Sequence, residues 1–346
     1  MKAHKILTSL ALAAAAFCSV SCYESYVKDY DFDTIYFPYQ FDLRTFIVGE
    51  GMKFDMGVEL AGTLLNDRDR KVDFEVDPSL LTENLGPLIE SEDGFTAYDI
   101  LSGASTKVSP SQKYVLDDYQ AAKNTALEAL PASMYTLSND HSMVIAKGRH
   151  TATVTVKADS LAICADEASY VPHYVIPLRI KSVDADKLLP GKSYVIMVVR
   201  VQSMFFGTYY QDGTSKEVDP SGKVVAEKSY ESKVNDSDAF VVNLTSVSPY
   251  AVTTNTNSNS DLAVKITLGS DNKLTVCSAD GKTAVTSGDC FFNGAKLLQD
   301  RKLHLNYSYV NAKGNTVTVS DVLSFRNRIE DGVNIWQDMD PSHYDK

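Results

Sequence analysis

Apolar and polar residues alternate with a period of two along much of this chain. Residues 53–60 read Lys-Phe-Asp-Met-Gly-Val-Glu-Leu, and residues 151–157 put Ala152, Val154 and Val156 on one face. A period of two marks a half-buried strand. Similar stretches at 34–40, 44–48, 71–76, 134–137 and 143–145 predict further strands, with Pro38 marking an edge or a bulge. Residues 174–180 and 193–201 are apolar almost without interruption, which predicts strands at the centre of a sandwich. Between the strands at 71–76 and 134–137, residues 78–130 hold few β-branched side chains. Helix formers at helical spacing over 117–127 predict a partly helical insertion there.

From Met204 onward a second run of strands is predicted at 239–244, 250–253, 263–268, 273–277, 290–293, 302–310 and 316–325. Asp271-Asn272, Asp280-Gly281 and Lys313-Gly314-Asn315 separate several of them as turns. An antiparallel meander of this size curls, so a barrel or lipocalin-like closure is expected. The fold class is therefore all-β. An Ig-like β-sandwich spans 34–202, with its insertion at about 78–130, and an antiparallel β-barrel-like unit spans 203–346.

The first 22 residues break this pattern. Lys2 and Lys5 precede an apolar run over residues 6–17, small residues follow, and Ser19-Val20-Ser21-Cys22 closes the segment. A positive start, an apolar core and a small-residue cut site define an export signal. The run is too short to span a bilayer of about 20 helical residues. The last four residues resemble a bacterial lipobox, which makes Cys22 the expected lipid-attachment site. Each buried acyl CH₂ contributes about 0.8 kcal/mol, and several chains together anchor stably. Residues 23–33 are acidic and aromatic without either period, and read as a tether.

Charge narrows the partners. With 33 Lys plus Arg against 45 Asp plus Glu, the net charge is −12, and it becomes more negative once Lys2 and Lys5 are removed. Such a chain repels nucleic acid and offers no basic patch to a membrane. Beyond the signal the cysteines are Cys22, Cys164, Cys277 and Cys290, without zinc spacing. Cys277 and Cys290 are near enough in sequence to face each other on adjacent strands and form the candidate disulfide; Cys164 reads as a buried apolar residue. His141, His150, His173, His304 and His343 form no ligand pair, and there is no nucleophile elbow or phosphate loop. Oxygen-rich clusters at 117–118, 235–238 and 257–261 match no calcium-loop pattern. No catalytic residue, cofactor or metal is expected.

The 19 Tyr, 14 Phe and one Trp leave a binding function open. Aromatic faces stack on sugar rings while amides and carboxylates satisfy hydroxyls. Tyr209, Tyr210, Tyr307, Tyr309 and Trp336 all have polar sequence neighbours and are the candidate ligand-binding residues.

These residues also carry a resemblance. Cys22-Tyr23-Glu24, Asp29-Tyr30-Asp31, Ile35-Tyr36-Phe37, Val48-Gly49-Glu50, Leu130-Pro131 and Ile176-Pro177-Leu178-Arg179 resemble the amino-terminal Ig-like module, of unknown function, of Bacteroidetes outer-membrane lipoproteins. Phe206-Gly207-Thr208-Tyr209-Tyr210, Phe325-Arg326-Asn327-Arg328 and Trp336-Gln337-Asp338 resemble the carboxy-terminal domain that accompanies it. The resemblance implies a non-catalytic surface lipoprotein of a polysaccharide-utilisation system. It would bind a polysaccharide or oligosaccharide beside a TonB-dependent transporter and that transporter's glycan-binding lipoprotein partner. An adhesin or scaffold for envelope proteins, and a glycoside hydrolase, are the other expectations.

Overall fold

The computed structural model describes residues 30–85, 126–232, 240–256 and 262–338. The signal segment, Cys22, residues 117–125 of the predicted helical stretch and the three oxygen-rich clusters lie outside the described residues, and Ala126 and Leu127 are not helical.

The amino-terminal half contributes β1 (Thr34–Tyr36), β2 (Phe41–Ile47), β3 (Lys53–Ala61), β4 (Arg70–Val76), β5 (Glu128–Ala129), β6 (Tyr135–Leu137), β7 (Ser142–Ile145), β8 (Thr151–Ala158), β9 (Tyr174–Val183) and β10 (Tyr194–Gln202). Two short helices join them, α1 (Leu80–Leu85) and α2 (Ser160–Cys164). The Asp159 side chain caps α2 by accepting from the Leu161 and Ala162 amides. One sheet has the order β1-β3-β8-β6; the facing sheet runs β2-β10-β9-β4-β7, with β5 beside β9. β2 pairs with β10 in parallel. Val154, Val156, Ile176, Leu178, Val199 and Phe46 meet between the sheets, as the alternation predicts. β10 is buried at every position, which fits its uninterrupted apolar run.

The carboxy-terminal half forms β11 (Gly207–Val218), β12 (Val224–Tyr230), β13 (Val241–Ser248), β14 (Ala251–Asn255), β15 (Ala263–Leu268), β16 (Leu274–Ser278), β17 (Val285–Ser287), β18 (Phe291–Phe292), β19 (Lys302–Val310), β20 (Thr316–Glu330) and β21 (Val333–Ile335). They build one antiparallel sheet in the order β16-β15-β14-β13-β11-β20-β19-β17, with β12, β18 and β21 on β11, β19 and β20. Its two edges approach each other. The Leu274 amide donates to the Cys290 carbonyl at 2.9 Å, the Val276 amide to Ser287 Oγ at 3.1 Å, and Lys273 bridges to Phe291. The sheet is thus a nearly closed barrel, and side chains such as Leu303, Leu305, Val319, Leu323 and Phe325 fill its interior.

A set of buried ions joins the two halves. Glu50, in the turn between β2 and β3, receives Arg301 Nη1 at 2.6 Å. It also receives Arg328 Nη1 at 2.9 Å and Nη2 at 2.5 Å. All three residues are buried. Beside them the Thr45 amide and hydroxyl donate to Asp331 at 3.0 and 2.7 Å, and Arg200 Nε donates to Thr45 Oγ1 at 3.1 Å. Burial alone would raise the Glu50 pKa, but the two guanidiniums outweigh it and hold the carboxyl below the usual range.

The opposite pole of the sandwich holds the incoming chain. The Tyr30 amide donates to the Gly62 carbonyl at 2.8 Å, Asp33 and Asp186 exchange amide-to-carboxylate bonds at 3.0 and 2.8 Å, and Arg70 pairs with Asp33 at 2.7 Å. The expected tether is therefore docked from Tyr30 onward.

Candidate functional site

The barrel divides the five candidate aromatics. Tyr209, Tyr307 and Tyr309 point inward and are 0%, 3% and 7% exposed, so they are core residues and not a ligand platform. Tyr307 and Tyr309 share a parity with Leu303 and Leu305 on β19, and polar neighbours along a strand belong to its other face. Tyr209 lies edge-on to Phe325 with ring centroids 5.5 Å apart; burial pushes its hydroxyl pKa well up. Tyr210, one residue on, is half-buried on the outer wall, where the Arg326 guanidinium lies 5.7 Å from its ring centre. Trp336 is 66% exposed.

The candidate disulfide is corrected as well. Cys277 and Cys290 are free thiols. Cys277 sits in β16 opposite Lys265 of β15, whereas Cys290 lies against Asn306 of β19, whose amide is 3.1 Å from its sulfur. The two cysteines face different neighbours across the barrel seam. Cys164 is buried, as expected, and burial raises its thiol pKa.

Beside Tyr210 the barrel wall opens. β13 and β14 pair from Ser248↔Ala251 to Thr245↔Thr253 and then part. β13 continues along β11, with Tyr210 opposite Val241 and Thr208 opposite Asn243, while β14 continues along β15 to Asn255 opposite Ala263. The gap is a groove of about 440 Å³ lined by Val241, Asn243 and Thr245 on one side and Thr253, Thr254 and Asn255 on the other. Threonine hydroxyls and asparagine amides share its lining with Val241, Val242, Ala263 and Ala279, and none of its described residues is charged. Thr254 is 5% exposed, and its hydroxyl has no hydrogen-bond partner among the described residues. Burying a hydroxyl without a partner is unfavourable, and a ligand hydroxyl would relieve it.

Two smaller cavities are less suited to a ligand. One, of about 140 Å³, lies at the sandwich edge beside the Asp42–Arg44 ion pair at 2.9 Å. The other, of about 110 Å³, adjoins the Glu50–Arg328 joint. Among the described residues no group of histidine, cysteine and carboxylate side chains is arranged to hold a metal. No described helix is long and apolar enough to cross a membrane.

An all-β chain with a filled sandwich, a filled barrel and a neutral groove in the barrel wall has solved relatives. A family model described as a "-like, N-terminal domain" matches residues 103–187, less than half of the chain. No curated protein matches. A Bacteroides ovatus protein of unknown function is similar over 90% of this chain and 99% of its own, at 21% identity and a TM-score of 0.59, which shows a shared fold. A second B. ovatus protein of unknown function covers 86% of this chain and 95% of its own at 11% identity and a TM-score of 0.40. A provisionally assigned carbohydrate binding protein of B. ovatus ATCC 8483 covers 84% of this chain and 97% of its own at 13% identity. Its TM-score of 0.28 makes that likeness distant and gives it no weight in assigning a function.

Proposed function

We propose that this protein is a non-catalytic lipoprotein of the outer membrane that captures glycan on the outer wall of its barrel. The observation that carries the reading is the uncharged groove with the unpaired Thr254 hydroxyl, with Tyr210 on the next strand opposite the groove-lining Val241. Sugars present alternating hydroxyls and apolar ring faces, and a hydroxyl- and amide-lined cleft flanked by an aromatic ring complements both. The export signal and Cys22 supply the anchor. β3 runs from the joint near Lys53 to Ala61, next to the docked Tyr30, so the sandwich sets the barrel about 27 Å beyond the anchored pole. The resemblance to surface lipoproteins of polysaccharide-utilisation systems adds a TonB-dependent transporter and its glycan-binding partner as the surrounding assembly.

Affinity electrophoresis of the mature chain through gels containing neutral polysaccharides tests this reading. Retardation by at least one polysaccharide is expected, with Tyr210→Ala weakening it about fivefold to tenfold. Migration unaffected by every polysaccharide would overturn the proposal. Pull-down of envelope proteins in place of glycan would favour a scaffold, and release of reducing sugar would favour a hydrolase.

A further inference from the structure

We infer that the ligand is an extended, uncharged glycan chain lying across the strands from the groove to Trp336, not a chain end held in a closed pocket. This deepens the glycan reading and rests on it. The register supplies the path. Asn243 on β13 is opposite Thr208 on β11, and Thr208 is opposite Asn327 on β20. β21 pairs with β20 through Arg328↔Ile335 and ends there, and Trp336 is the next residue, one position past the partner of Arg328 and so at the level of Asn327 where the chain leaves the strand. Tyr209, one residue from Thr208, faces the core, which turns this row outward. Three paired positions at strand spacing, followed by the exposed indole just past β21, make a row about 14 Å long that begins at the groove.

The hydrogen bonds within the row leave it ready for hydroxyls. Thr208 Oγ1 donates to Asn243 Oδ1 at 3.0 Å, which leaves the Asn243 amide donors unspent. Asn327 Nδ2 donates to Asn334 Oδ1 at 2.7 Å, leaving the Asn327 carbonyl and the Asn334 amide donors unspent. Donors and acceptors thus alternate along the wall, and sugar hydroxyls can meet both. No residue of the row or groove is charged at neutral pH, and Arg326 lies over the Tyr210 ring. An anionic chain would meet Arg326 beside the row but would approach a protein of net charge −12. The barrel interior is filled, so no deep chamber competes with the wall.

The test is isothermal titration of the mature chain with neutral gluco-, manno- and xylo-oligosaccharides, from monosaccharide to hexasaccharide, and with oligogalacturonates. Within the series that binds, affinity is expected to rise with length until the row is spanned. Trp336→Ala should lower hexasaccharide affinity about tenfold and leave the disaccharide unchanged. Because Trp336 is exposed, the variant's melting temperature should match that of the parent. Equal affinity for mono- and hexasaccharide, an unaltered hexasaccharide affinity in Trp336→Ala, or preference for oligogalacturonate would overturn the inference while leaving glycan capture standing. Absence of binding to any glycan, here and in the gels, would overturn both.

Discussion

A single hydroxyl separates the needs of folding from those of binding. Thr254 is buried with its oxygen unpaired, so Thr254→Val removes an unfavourable group at nearly constant volume. The expected outcome is a gain of about 1–2 kcal/mol in stability by urea denaturation, together with weaker glycan retardation. A purely structural threonine would lose stability or leave retardation unchanged. Glu50 behaves in the opposite way. Removing its carboxylate leaves Arg301 and Arg328 buried at the joint without their shared anion. Glu50→Ala should cost about 3–5 kcal/mol, seen as a lower urea midpoint. The aromatic side chains show what the sequence conveys at this scale. Polar sequence neighbours selected Tyr210 and Trp336, which lie on the surface, together with Tyr209, Tyr307 and Tyr309, which do not. Tyr209 was not separable from Tyr210 without knowing that it pairs with Phe325, because adjacent strand residues face opposite ways and only the register selects which is inside.

At the level of elements, strands with a strong pattern are the ones the sequence discloses. β19 has the predicted bounds, and β3, β8, β9 and β10 agree to within a few residues, because burial on one or both faces imposes a simple apolar code. β12 escapes notice because Val224, Val225, Glu227, Lys228 and Ser229 are all exposed, leaving no alternation to read. β17 and β21 are three residues each, too short for any period. The groove is equally invisible, since it arises where two paired strands part and not from any local motif. The seam between β16 and β18 decides the thiols. Alkylation in denaturant without reductant should modify both Cys277 and Cys290, and in the native protein the half-buried Cys277 should react before the buried Cys290. A mass deficit matching a bonded pair would contradict the seam. The docked entry segment depends on one glycine. Gly62 has φ +92°, and a Cβ there would collide with the Phe32 carbonyl oxygen. Gly62→Ala should therefore destabilise the protein by more than about 1 kcal/mol and expose residues 30–33 to limited proteolysis.

For the whole molecule, the relation between the pole that docks residues 30–33 and the barrel wall that carries the groove depends on the joint, and the joint carries a titratable group on its barrel side. Glu330 is half-buried, paired with Arg328 at 2.6 Å, and near Asp331 and Glu50. Lys53 lines the same cavity from β3, and Asp338 from the tail. Burial, with the like charges of Asp331 and Glu50, outweighs Arg328 and raises the Glu330 pKa from 4.5 to about 7. The folded state therefore holds this proton more tightly than the unfolded state does. Linkage then makes stability fall as pH rises from about 4.5 to about 7, by at most about 1.4 kcal/mol per unit of displacement. Glu50 opposes this slope only at the acid end of the window, where an unfolded carboxyl still takes up a proton while the folded one stays ionised. His304 opposes Glu330. Burial and Lys302 lower its pKa, so its contribution to stability rises with pH up to the ordinary imidazole value. The difference between parent and Glu330→Gln isolates the carboxyl. Urea midpoints across pH 4.5–7.5 should show the parent losing stability relative to the variant as pH rises, and parallel curves would show that Glu330 titrates as an ordinary surface acid. A joint that tightens on mild acidification would hold the barrel wall in a fixed relation to the pole at Tyr30, while the groove, lacking charged residues among those described, keeps the same electrostatic character.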